Sequence, residues 1–368
     1  PHLFHIIPGA RYQRQAGQHF NPYTYRDLTT IADHLHYLGA NPHGGNNKSD
    51  EAGGGHAHAG AMIYLGGAWP AQYRNQIFMN NIHGQRLNMD ILKPRGSGYV
   101  GSHGPDFLLT GDRASQILNL RYGPDGQAWM IDWYDMQACH TGDVKAHDRS
   151  NGRIYKISAG EPQTVAVDLK KLSDVELAEL TLHANDWYVR HGRRVLQERT
   201  ASRSIDAGAI ARLIEIAKTH ADDTRRLRSI WALHVTAGID ATLAQRLFAD
   251  ASDQVRGWMV QLSFDQPQAV SDGLLSRLNT MARDDKSQVV RLSLASALQK
   301  LPLEHRWSIL ATLTSHAEDA SDHNLPLMYW YAAEPLAAVD AERALALGLS
   351  AGTSIPLLRE FMLRRIGS

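Results

Sequence analysis

The chain has 368 residues, 43% of them hydrophobic and 21% charged, and a formal net charge of +0. That is enough chain for about two domains, each burying a core. The charge balance gives no footprint for nucleic acid or an anionic membrane surface, and no apolar run reaches the ~20 residues that span a bilayer.

The composition is uneven. Residues 1–160 hold 22 of the 30 glycines and 12 of the 19 histidines, and the remainder is rich in Ala, Leu and Arg. This shift predicts a β domain over 1–160 and a helical domain over 161–368. The chain opens on Pro1 with no signal-peptide pattern, so its natural start is expected upstream. The single cysteine, Cys139, excludes an internal disulfide and the C-x-x-C-H attachment of a covalent haem.

In chain order, short apolar runs between Gly, Pro and Asn turns predict strands at 61–64, 76–80, 86–92 and 107–109. A second cycle follows at 117–122, 127–133 and 152–157. Each cycle has a tight turn between its first and second strands, Trp69-Pro70-Ala71-Gln72-Tyr73 in one and Gly123-Pro124-Asp125-Gly126 in the other. Repeated short strands of this kind suggest a sandwich, barrel or propeller.

In a four-stranded propeller blade, the loops before the first strand and after the second share one face. His56, His58, His83, Asp112, Arg113 and the insertion 132–151 fall in such loops. The insertion carries Asp132, Asp135, Asp143, His147, Asp148 and Arg149. His56 and His58, at i and i+2 of an extended segment, point to one side and suit two imidazoles on a metal. His83, Asp132 or Asp135 could complete a mixed set, and the insertion's carboxylates would suit Ca²⁺. Alternatively, the histidines hold loop backbones together and the Asp residues cap turns.

From 172 onward the pattern is one of amphipathic helices. Val189-Arg190, Leu227-Arg228, Val255-Arg256 and Val290-Arg291 recur at a spacing near that of HEAT-like helix pairs, with Asp186 and Asp253 preceding two of them. These Asp and Arg residues are expected to cap and cross-link adjacent repeats, with the first repeat docking on the β domain.

The stretch GGGHAHAGAMIYLGGAWPAQYRNQIFMNNIHGQRLNMDIL, together with DFLLTGDRASQILNLRYGPDGQAWMIDWYD and HDRSNGRIYKI, resembles the late blades of large membrane-bound dehydrogenases of the PVC-type bacterial group. NDWYVRHGRRVLQER resembles the start of their helical region. Those proteins carry a propeller similar to quinoprotein glucose and sorbosone dehydrogenases, then HEAT-like repeats, and often a cytochrome c domain.

The resemblance implies a partial β-propeller (the end of one blade plus two late blades) followed by an α-solenoid, in a periplasmic or exported protein. It implies an oxidoreductase of a sugar or related alcohol that passes electrons to a cytochrome c, with the missing blades supplied by further chain or a partner. On that reading His56 and His58 hold a divalent metal, Ca or a transition metal. His83, Asp132 and Arg149 are the catalytic candidates. Arg113, Asp135, His147 and Asp148 would hold a cofactor, for which PQQ is the candidate, the arginines pairing with its carboxylates. The rival expectation is a non-catalytic scaffold that binds a partner through its propeller and helical surfaces.

Overall fold

A computed structural model describes residues 3–13, 19–33, 58–82, 84–137, 142–265 and 270–367. Two antiparallel sheets are followed by twelve α-helices among these residues.

The first sheet contains β1 (His58–Ile63), β2 (Ile77–Asn81), β3 (Arg86–Arg95) and β4 (Gly98–His103), with the short β5 (Leu108–Leu109) also pairing with β3. The second contains β6 (Ile117–Tyr122), β7 (Ala128–Asp132) and β8 (Arg153–Ile157). Every strand expected from the sequence is present. The β3–β4 hairpin is additional, turning through Gly96 and Ser97 with Gly96 at φ 54°.

Alternation explains how the sheets pack. Met62, Phe78, Leu87 and Met89 of the first sheet meet Ile117, Leu120, Tyr122, Ala128 and Met130 of the second in one buried cluster. Trp69 joins it, stacked on Tyr64 with ring centroids 4.4 Å apart. On the far face of the first sheet, Ile77 and Met79 are covered by Leu3, Ile31 and Ala32. The far face of the second sheet is bare: Trp129, Ile131 and Ile154 are 42%, 41% and 72% exposed.

Ser173 caps α1 (Asp174–Glu179) through a capping box with Glu176. Then come α2 (Asp186–Thr200), α3 (Ala207–Thr219), α4 (Asp223–His234), α5 (Ala241–Leu247), α6 (Asp253–Leu262), α7 (Asp272–Asp284) and α8 (Gln288–Leu298). The last four are α9 (Arg306–Leu313), α10 (Leu325–Ala333), α11 (Ala341–Ala351) and α12 (Pro356–Ile366). Helix α2 docks on the β region: Asn185 Nδ2 donates to the carbonyls of Gly123 and Pro124 at 3.0 and 3.1 Å.

A polar ladder crosses the helices. Arg228 reaches Asp186 at 2.8 Å, Arg256 grips both oxygens of Asp285, and Arg291 grips both oxygens of Asp319. Asp223 and Asp253, each the first residue of its helix, accept from the hydroxyls of Ser252 and Ser287, both at 2.7 Å. Of the Arg residues that recur in the sequence, Arg228, Arg256 and Arg291 thus link one helix to the next, while Arg190 pairs with Asp186 within α2.

The N-terminal segment joins the two halves. Ile7 and Leu28 are buried among the C-terminal helices, and Tyr25 stacks on Trp330 at 5.6 Å. Ser296 Oγ donates to Pro8 O, and Tyr331 Oη to Arg26 O. The same segment then runs beside β4, where Gly101 N–H donates to Ile31 O at 2.9 Å and accepts Asp33 N–H through its carbonyl at 3.0 Å. This pairing covers part of an otherwise open edge.

Candidate functional site

Strand pairing places His58, Asn81, Arg86, Asn88, Asp90 and His103 on the far face of the first sheet. Asn81, Asn88 and Asp90 are completely buried. A directed hydrogen-bond chain runs through the group. Arg86 Nη1 donates to Asp106 Oδ2 at 2.5 Å, and Asn88 Nδ2 donates to Asp106 Oδ1 at 2.6 Å. The charge on Asp106 therefore fixes the Asn88 amide with its oxygen turned the other way, toward His58 Nε2 at 3.0 Å.

Asn81 is oriented in the same manner. Its Oδ1 accepts from Gly84 N–H at 2.8 Å, and its Nδ2 donates to Asn88 Oδ1 at 3.0 Å. His58 Nε2 thus faces an acceptor at 3.0 Å and, more distantly, the Asn81 amide nitrogen at 3.3 Å. The network favours a proton on Nε2, which leaves the imidazole lone pair on Nδ1. His103 adds a second imidazole, 3.6 Å from Asp90 and 3.8 Å from Asp106.

On the opposite face of the same strand, Asn80 is completely buried, and neither atom of its amide has a hydrogen-bond partner among the described residues. Leaving such a group unsatisfied costs about 1–3 kcal/mol.

The other expected site residues form a separate group at the start of the 132–151 insertion. Asp132 Oδ1 accepts from the N–H groups of Gln116 and Tyr134, and its Oδ2 from Ser115 Oγ. Asp135 accepts from Gln137 and Asp148 N–H, with His147 Nδ1 3.4 Å away. Asp143 and Asp148 cap the turns that follow them. Arg113 and Arg149 are exposed.

No hydrogen bond or ion pair joins this group to His58 among the described residues. His56, His83 and Cys139 lie outside those residues. Among the described residues of the insertion, the carboxylates of Asp132, Asp135, Asp143 and Asp148 accept hydrogen bonds from backbone N–H groups and from neighbouring side chains. Among the described residues, no group of three or more His, Cys, Asp or Glu is arranged as metal ligands, and no helix is long and apolar enough to cross a membrane.

Asn81, Arg86, Asn88, Asp90, His103 and Asp106 are not singled out by the sequence, where they look like ordinary strand and turn residues. The available signal is the alternation Arg86, Asn88, Asp90, which puts polar side chains on one face of a strand whose neighbours are apolar.

Residues 6–161 match the model of a domain of unknown function, DUF7133. The match takes in most of the N-terminal segment and both sheets, and ends before the first helix. No curated protein matches the chain.

Proposed function

We propose that the two sheets are consecutive late blades of a β-propeller, that the helices are HEAT-like repeats, and that the protein is a dehydrogenase-like oxidoreductase of a sugar or related alcohol. The observation that carries the proposal is the chain Arg86–Asp106–Asn88–His58, which turns an amide oxygen of fixed orientation toward His58 Nε2. An imidazole held in this way accepts the proton of a substrate hydroxyl, work that a histidine of near-neutral pKa does well.

Two electrons must also leave the alcohol carbon. On this reading the acceptor is held on further blades. The bare face of Trp129, Ile131 and Ile154 is where the next blade would pack. Periplasmic placement and a cytochrome c as final electron acceptor belong to the same proposal.

The test is oxidation of a panel of sugars and alcohols with an artificial electron acceptor, using protein isolated with its associated chains. Turnover should fall by about 10²–10⁴ in His58→Ala, the usual contribution of a general base. Unchanged turnover with the fold intact would remove His58 from the mechanism.

A second reading, a non-catalytic scaffold, is favoured by the insertion, whose carboxylates are engaged in holding its own loop. Saturation-transfer NMR separates the two. The enzyme reading requires sugar or alcohol binding that weakens in His58→Ala, whereas the scaffold reading predicts none.

A further inference from the structure

The N-terminal segment at 5–8, the tip of the β3–β4 hairpin and helices α6 and α8 surround a cavity of about 460 Å³. Small-molecule sites usually measure about 300–1,000 Å³. Gly257 lets the two helices close behind the cavity: a Cβ there would lie 2.8 Å from Ser293 Oγ.

Five polar side chains line this space: His5, Tyr99, Gln254, Trp258 and Gln261. No hydrogen bond joins any of these side chains to another described residue, and of their polar atoms only His5 Nδ1 is buried. Burial, and then the neighbouring imidazole of His323, lower the pKa of His5, so its ring is neutral at pH 7. The serines of the lining differ. Ser97, Ser293 and Ser296 donate to Asp322 Oδ1, Val289 O and Pro8 O at 2.6, 3.1 and 2.6 Å. Among the described residues, no Asp, Glu, Lys or Arg lines the cavity.

We propose that this cavity is a binding site for an uncharged mono- or disaccharide. An ionic ligand would leave water there without meeting a counter-charge. The free donors and acceptors suit hydroxyl groups, each of which both donates and accepts. Trp258 and Tyr99 offer ring surface to the apolar faces of a sugar. Spacing separates a sugar from a planar base. Gln254 and Gln261 lie on α6 on either side of Trp258, roughly 10.5 Å apart along the helix axis. That is too far to read one edge of a base and suits hydroxyls at opposite ends of one or two sugar rings. None of the residues of the His58 group lines the cavity, so the proposal stands whether or not His58 acts as a base.

The experiment follows the Trp258 indole N–H of the full chain by heteronuclear NMR, assigned with Trp258→Phe, during titration with D-glucose, D-galactose, D-mannose and maltose. At least one sugar should give a saturable shift, equal in the wild type and in His58→Ala. Its affinity should be at least about tenfold weaker, about 1.4 kcal/mol, in Gln254→Ala/Gln261→Ala. Neither amide holds another residue, so this double variant should keep the wild-type Tm. Gluconate and glucosamine, the charged counterparts of glucose, should bind more weakly than the neutral sugar. No saturable shift with any of the four sugars would overturn the proposal. So would undiminished affinity in the folded double variant, or gluconate or glucosamine binding as tightly as the neutral sugar. Unchanged turnover in His58→Ala counts against the oxidoreductase reading alone.

Discussion

Ser97 and Asp322, 225 residues apart, are joined by two hydrogen bonds: Ser97 Oγ donates to Asp322 Oδ1 at 2.6 Å and Ser97 N–H to Oδ2 at 2.8 Å. Asp322 Oδ1 also accepts from the N–H groups of Asn324 and Leu325 as α10 begins. Elsewhere in the ladder a serine hydroxyl from the next helix start meets the aspartate; here the serine comes from a β-hairpin. The hairpin thus takes the place that a helix start has elsewhere in the ladder. Ser97→Ala removes a bond to a charged acceptor and should cost about 1.5–3 kcal/mol, read as a lower urea midpoint. A midpoint equal to that of the wild type would show that the junction adds no stability.

Arg291 and Asp319 are both fully buried, and Tyr329 Oη donates to the same carboxylate at 2.7 Å. Removing one partner strands the other in the core. Asp319→Ala should therefore destabilise by about 3–5 kcal/mol, whereas Arg291→Met combined with Asp319→Leu should recover most of that loss. Denaturant unfolding of Arg291→Met, Asp319→Leu and the variant that combines them measures the coupling.

Asp174 sits under two arginines. Hydrogen bonding from Arg203 is the largest influence, and against the opposing effect of burial the N–H of Asp206 and then Arg199 add to it. Together they hold its carboxyl well below its ordinary value of 3.8. A folded-state pKa below the unfolded one gives stability that is present above the unfolded pKa and lost as pH falls through the folded one. Wild-type stability should therefore drop below about pH 4, and Asp174→Asn should be less stable at neutral pH with a flatter acid limb. Urea midpoints across the acid range test this, and parallel acid limbs would contradict it.

The bare face of the second sheet makes a separate prediction. Ile131 and Ile154 are paired across β7 and β8 and both are exposed. Ile131→Lys and Ile154→Lys should leave the melting of the isolated chain almost unchanged, since surface substitutions usually stay within about 0.5 kcal/mol. They should, however, abolish association with whatever sheet covers the face. Sedimentation with the associated chains tests this, and intact assembly in both variants would show that the face is a free surface.

The strands were legible because apolar runs alternate with Gly- and Pro-containing turns, and the cross-linking role of the helical Asp and Arg residues follows from their recurrence. Strand β4 was not legible. Pro94, Gly96, Gly98 and Gly101 read as a loop, yet Pro94 pairs with Tyr99 and Gly101 with Leu92 in a regular ladder. The N-terminal segment was illegible for a different reason. Ile7 and Leu28 lie in irregular chain, and their packing partners are more than two hundred residues away, so no local period marks them. At the site, His58 was found through its spacing from His56. Its partners Asn88 and Asp106 were missed, because a buried polar chain is a property of cross-strand neighbours rather than of any motif. Asp132 and Asp135 attracted notice as carboxylates, but each is engaged in holding its own loop.

Chemical rescue at His58 tests the account's central claim most directly. Sugar or alcohol oxidation by His58→Ala, measured on protein isolated with its associated chains, should be severely reduced and then partly restored by added imidazole, because the missing group is a proton acceptor that a free base can replace. Activity equal to the wild type, or a loss that imidazole fails to restore in a correctly folded variant, would contradict the assignment of His58 as the base.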